Sequence, residues 1–152
     1  MSTAQHAIFT IERKLDFPPA MVFNAWADAK AKARWFATPV ECTDIIREQN
    51  FRIGGRDRFK ATWPGGRITD FSAEYWDIVP DKRIVYVYEM HLNGKKISVS
   101  LATVDFVAEG KGTRMIVTEQ GAFLDGYDDA GSRERGTNDL MDKLVASLME
   151  PV

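Results

Sequence analysis

The chain's nucleophilic and soft metal-ligating side chains are few: His6, His91 and Cys42. Their separations fit no zinc spacing. A Ser-His-Asp set would have to recruit His91 across space, from a position beside Asn93-Gly94 that reads as a rim. Structural or surface roles account better for both histidines. Asp125, Asp128 and Asp129 look like a calcium loop in composition alone, because the alternating oxygen ligands, mid-loop Gly and terminal Glu are not at the required spacing. Charge at a helix N-terminus explains them better. Glu74 and Glu119 would make a carboxylate pair for acid–base work only if both faced one cavity. Glu74 alternates with Phe71, Ala73 and Tyr75, which turns it to solvent. Gly54-Gly55 could cradle a phosphate only at the head of a helix, and the residues that follow, Arg56 to Trp63, alternate like a strand. That pair is read as a turn.

The aromatic residues say more. Trp35, Phe36, Phe59, Trp63, Phe71, Tyr75, Tyr86, Tyr88 and Phe106 are many large rings for a chain of 152 residues. Cavities for apolar ligands are lined by such rings with a few convergent polar groups, although any core also uses them for packing. Val99, Leu101, Met115 and Met141 complete the apolar candidates. The polar groups to watch are Arg114, Arg133 and Thr137, because an Arg inside an apolar pocket is costly unless it meets a carboxylate. The expected ligand is a small hydrophobic or amphipathic molecule, with a carboxylate or a phenol as its candidate polar group.

The elements that must position these residues can be read from turns and periodicity. Gly54-Gly55, Pro64-Gly65-Gly66, Pro80-Asp81, Asn93-Gly94 and Gly110-Lys111-Gly112 punctuate the middle of the chain. Asn93-Gly94 is the strongest hairpin signal, since a type I′ turn needs positive φ at both central residues. Between the turns, Phe59/Ala61/Trp63, Phe71/Ala73/Tyr75 and Ile97/Val99/Leu101 alternate with polar residues, which predicts an antiparallel meander covered on one face. The parity breaks at Tyr75-Trp76 and between Leu101 and Val104, and β-bulges there would bend the sheet. Ahead of the meander come a strand over 8–15, two short helices over 21–26 and 29–36, and a strand over 40–49. Pro19 suits a helix start and Pro39 a helix stop. At the far end, Thr137, Leu140, Met141, Leu144, Val145 and Leu148 fall at helical spacing, predicting an amphipathic helix over 128–149. The sheet offers that helix its only sizeable apolar cover.

Composition narrows the function classes. Net charge is −2, with 28% charged and 45% hydrophobic residues, and the charges are interspersed. No basic field exists for nucleic acid or an anionic membrane surface. The longest apolar run, Ile84 to Tyr88, is far short of the ~20 residues that span a bilayer. The opening MSTAQHAIFT lacks the marks of a secretory signal, and a lone cysteine cannot form an internal disulfide, so a cytoplasmic location is expected. Length is consistent with one domain over 1–152.

Several motifs in this order resemble the START-like, Bet v 1-like (SRPBCC) superfamily. Within it they resemble the family named after the activator of heat-shock-protein-90 ATPase, in its bacterial single-domain form. They are the segment Pro19-Ala20-Met21-Val22-Phe23-Asn24-Ala25-Trp26, Trp35 at a helix end, Phe51-Arg52-Ile53-Gly54-Gly55, the strand link from Glu74 to Ile84, Gly112-Thr113, and Gly136 near the start of the long helix. The resemblance covers essentially the whole chain. It implies an α+β helix-grip fold, in which a curved antiparallel sheet (β-α-α-β(5-6)-α) wraps around the C-terminal helix and leaves a cavity. Superfamily members bind lipids, sterols, polyketides and hormones there, and some catalyse cyclisation or hydrolysis. No metal or nucleotide cofactor is implied. One departure stands out: many relatives follow the helix-start Gly with Trp, whereas Thr137 follows Gly136, so the cavity is expected to be wider or wetter at that point. A non-catalytic binding protein is the leading expectation, and a cyclase- or hydrolase-type enzyme using the same cavity is the alternative. A chaperone-associated or regulatory surface is a third expectation, without an identifiable contact motif, and an edge-strand homodimer is a further one.

Overall fold

The computed structural model describes residues 3–150. Strands β1 (Ala4–Leu15), β2 (Thr43–Gln49), β3 (Arg56–Thr62), β4 (Ile68–Val79), β5 (Arg83–Leu92), β6 (Lys95–Glu109) and β7 (Gly112–Leu124) join helices α1 (Pro19–Ala27), α2 (Ala29–Ala33) and α3 (Ala130–Met149). The seven strands form one antiparallel sheet in the order β1-β7-β6-β5-β4-β3-β2. This is the expected α+β arrangement, a curved sheet with a long C-terminal helix.

Local chemistry sets the elements. Pro19 begins α1, where its missing N–H is no loss. Asp28 caps α2 by accepting from the Ala31 N–H at 2.9 Å. Asp129 caps α3 by accepting from the Ser132 N–H at 2.8 Å. The β5–β6 hairpin turns on Asn93 (φ 52) and Gly94 (φ 81), as a type I′ turn requires. Two elements are shorter than expected. The helix α2 ends at Ala33, and Trp35 and Phe36 continue as a turn whose N–H groups reach the Lys32 carbonyl. Strand β2 starts only at Thr43, after a turn closed by the Cys42 N–H on the Pro39 carbonyl at 3.1 Å.

Gly54-Gly55 turns the chain between β2 and β3, as expected. The Gly54 N–H donates to the Tyr75 carbonyl at 2.8 Å and the Tyr75 N–H to the Gly55 carbonyl at 3.0 Å, which ties the turn to β4. At Gly55 a Cβ would sit 2.0 Å from the Asn50 carbonyl oxygen, so backbone approach excludes any side chain there.

The parity of β4 is as expected, with a register shift between Tyr75 and Asp77 that leaves Trp76 bulged and exposed. In β6 the parity is reversed from the expected one. The irregularity lies at Ile97, opposite Met90/His91, well before Leu101. Beyond it Ser98, Ser100, Ala102, Val104 and Phe106 point inward, and Val99 and Leu101 point out.

The inner face of the sheet, α1 and the buried stripe of α3 enclose the core. Phe23 of α1 meets Phe106 and Phe51 edge-on at centroid distances of 5.4 and 5.7 Å. Thr137, Met141, Leu144 and Ser147 are the buried residues of α3. Arg13 of β1 fixes the helix from outside, donating to Asp142 at 2.9 Å and to the Asn138 side chain at 3.0 Å.

Candidate functional site

Between α3, the α2 turn and strands β4, β5 and β7 lies a cavity of about 240 Å³. It reaches the surface beside Ser132 and Gly136, both exposed residues that border it. Gly136 has no side chain to close this opening, and a Cβ there would meet nothing within 4 Å.

Of the residues singled out from sequence, Trp35, Phe36, Phe71, Tyr86, Tyr88, Arg133, Thr137 and Met141 border the cavity. The others lie elsewhere. Phe59 and Trp63 line a neighbouring depression on the far side of Phe36, where Arg47 covers Phe59 and Arg67 covers Trp63. Tyr75 is buried, but its hydroxyl is taken by Asp57. Met115 is fully buried, paired across the sheet with Phe106. Val99 and Leu101 are on the outer face because of the reversed β6 parity, in a shallow apolar depression with Ile8 and Val87. Arg114 is also on the outer face, held by Glu12 and Glu109 at 3.2 Å each. Glu74 faces outward and pairs with Arg56 at 3.6 Å, so no Glu74–Glu119 pair forms.

Glu119 itself points into the cavity from β7 and is 4% exposed. The Tyr88 hydroxyl donates to its Oε1, and Thr137 Oγ1 lies 3.3 Å from its Oε2. Burial raises the Glu119 carboxyl above the usual carboxylate range, against the opposing pull of Tyr88, Arg133 and Thr137. Burial first, and then the nearby Glu119, also pushes Tyr88 upward. Its phenol therefore stays protonated and acts as a donor. Arg133 enters from the first turns of α3, its guanidinium over the faces of Phe123 and Tyr88 at 5.3 and 5.6 Å. It donates to the Tyr88 oxygen at 3.1 Å, to Ser98 at 2.8 Å and to Asp128 at 2.9 Å. The carboxylate that the buried Arg demanded is thus Asp128, from its own chain.

The other polar wall is Lys32, which sequence reading missed. It is 5% exposed and ion-paired with Asp57, itself 3% exposed. Its ammonium lies 5.0 Å from the Phe36 ring centroid. Burial lowers the Lys32 pKa, with Asp57 pulling the other way. The Tyr75 hydroxyl donates to the same Asp57 oxygen at 3.0 Å. One signal was available: Asp57 shares its parity with Phe59 and Ala61, which places it on the inner face. Trp26 also borders the cavity, and its indole N–H has no partner. No cluster of His, Cys, Asp and Glu among the described residues could hold a metal ion, and no described helix is long and apolar enough to cross a membrane.

A long helix held against the concave face of an antiparallel sheet, with a polar-ended aromatic cavity between them, defines a helix-grip protein of the START-like class. A family profile described as Activator of Hsp90 ATPase homolog 1-like protein matches residues 16–149, and the chain belongs to that family. Among solved structures it is similar to an uncharacterized protein from Rhizobium leguminosarum, 44% identical over 98% of both chains with a TM-score of 0.93. A protein from Rhizobium loti is 39% identical over 95% of this chain and 99% of that one, with a TM-score of 0.88. An AHSA1-like protein from Aeromonas hydrophila shares the fold at 18% identity, covering 94% of this chain and 92% of that one, with a TM-score of 0.71. No curated protein matches the sequence.

Proposed function

We propose that this protein binds a small, largely apolar molecule in the cavity between the sheet and α3. The observation that carries this reading is the cavity itself, about 240 Å³ bordered by Trp26, Trp35, Phe36, Phe71 and Tyr86 and open beside Gly136. An apolar cavity of ~150 Å³ accepts benzene, whereas drug-sized ligands occupy roughly 300–1,000 Å³. The volume therefore suits a compound of one or two rings. Native mass spectrometry of gently purified protein, with a thermal-shift panel of one- and two-ring aromatics and short lipids, tests the proposal. A co-purified mass or a ligand-dependent rise in Tm supports it, and a bare protein unmoved by the whole panel sinks it.

Glu119 favours a second reading. A buried carboxyl whose pKa is raised by burial inside a ligand cavity is suited to proton transfer, so a cyclase- or hydrolase-type reaction could use it as acid and base. This reading requires that a bound compound be chemically changed and that Glu119→Gln stop the change while binding persists. Recovery of every bound compound intact would eliminate it.

A further inference from the structure

We propose that the cavity selects a neutral ring compound bearing a hydroxyl group, which pairs with Oε2 of Glu119, and that carboxylates are excluded. The inference rests on the binding function above and specifies its ligand class.

The first part follows from the hydrogens available at the polar end. Tyr88 has one O–H, which goes to Glu119 Oε1, while its oxygen accepts from Arg133 at 3.1 Å. Thr137 also has a single hydroxyl hydrogen. Its Oγ1 lies 2.9 Å from the Arg133 carbonyl and 3.3 Å from Glu119 Oε2. The shorter contact, to the carbonyl four back in the helix, competes for that hydrogen and weakens the one to Glu119. From the chain, Glu119 Oε2 has only the longer 3.3 Å contact from Thr137, on a side chain 4% exposed that borders the cavity. Leaving a buried carboxylate oxygen with a single long contact is costly. A hydroxyl can donate to a carboxylate oxygen or accept from a carboxylic O–H, so it meets Oε2 in either protonation state. An ether can only accept, and a hydrocarbon does neither.

The second part follows from the cations. Lys32 and Arg133 border the cavity, and each already has a carboxylate of the chain against it, Asp57 and Asp128 respectively. Arg133 commits further N–H groups to Ser98 and Tyr88. An incoming carboxylate would find no free counter-charge and would approach Glu119, a like-charge contact that disfavours it.

The test is calorimetric titration of the full chain at neutral pH with four probes of one shape: naphthalene, a naphthol, its methyl ether and the matching naphthoate. The naphthol should bind about tenfold or more tightly than naphthalene or the ether, with the naphthoate weakest. Glu119→Leu should bring naphthol down to naphthalene, and Asp128→Asn should raise the affinity for naphthoate by freeing Arg133. Equal binding of naphthol and naphthalene, or naphthoate binding as tightly as naphthol, overturns the hydroxyl inference and leaves the binding function intact. No binding by any probe overturns both. If Glu119→Leu does not fold, the ranking of the four probes on the unaltered protein still decides.

Discussion

Replacing Asp57 by Asn strips the buried Lys32 ammonium of its counter-charge while keeping the size and most of the shape of the side chain. Both partners are at least nine-tenths buried, so solvent screens the pair little, and removing one partner of such a pair costs about 3–5 kcal/mol. For a domain of this size 1 kcal/mol moves Tm by about 2–4 °C, so Asp57→Asn should lower Tm by roughly 6–20 °C. The pH dependence separates this cause from simple loss of packing. Burial already lowers the Lys32 pKa and Asp57 opposes it, so in the variant the folded-state pKa falls further below the unfolded value of about 10.4. Between those two values the unfolded chain holds more protons than the folded one, and stability rises with pH. The deficit of Asp57→Asn should therefore shrink on going from pH 7 to pH 10. Chemical denaturation at several pH values measures it. The triple variant Lys32→Met, Asp57→Leu, Tyr75→Phe, which also removes the hydroxyl that Asp57 accepts from, should recover most of the loss, as apolar replacement of buried pairs does. A cost below about 1 kcal/mol, typical of exposed pairs, or a deficit independent of pH, would refute the claim that Lys32 is held dry.

Three other outcomes follow from the geometry. Gly55→Ala should prevent folding, because its Cβ would lie 2.0 Å from the Asn50 carbonyl; Gly54→Ala, strained only by its φ of 81°, should be milder by expression yield and circular dichroism. Gly136→Ala should raise stability by about 0.5–1 kcal/mol, since it lies inside α3 with open space at its Cβ, while Gly136→Phe should block the opening and abolish binding of naphthol measured by calorimetry. The raised pKa of Glu119 means that its neutral form stabilises the fold fully below the normal carboxylate pKa, with the advantage lost as pH rises through the folded value. Glu119→Gln, neutral throughout, should gain on the unaltered protein in Tm as pH is raised from 4 to 8, and parallel curves would contradict the assignment.

The fold was legible where local chemistry and hydrophobic pattern agree, as in α3, the Asn93-Gly94 hairpin and the bulge at Trp76. It was misread in β6 because the inner face there is built from small residues, Ser98, Ser100 and Ala102. Ser98 points inward to accept from Arg133, and Ala102 is fully buried, while the larger Val99 and Leu101 take the outer face. Binary patterning assumes the opposite. Thr137 could be picked out by helical spacing, and Arg133 and Glu119 by their chemistry, but Lys32 could not. In the run Ala29-Lys30-Ala31-Lys32-Ala33 nothing local distinguishes the buried lysine from its exposed neighbour, because Asp57, 25 positions away, is what draws it inward. Asp128 was assigned to the helix terminus, yet Asp129 is the cap and Asp128 serves Arg133.

The pairing of β1 with β7, Ala4 opposite Leu124 and Leu15 opposite Thr113, has a consequence for how the chain reaches this structure. At about 5–20 residues per second during synthesis, the first strand waits on the order of 5–20 s before its only sheet neighbour exists. The meander β2 to β6 can assemble by local hairpins in that time, but the cavity wall carrying Glu119 and the helix that closes it come last. Closing contacts between such distant segments is slow, so β1, with Phe9 and Ile11 buried only in the finished fold, is the segment whose apolar side chains stay uncovered longest.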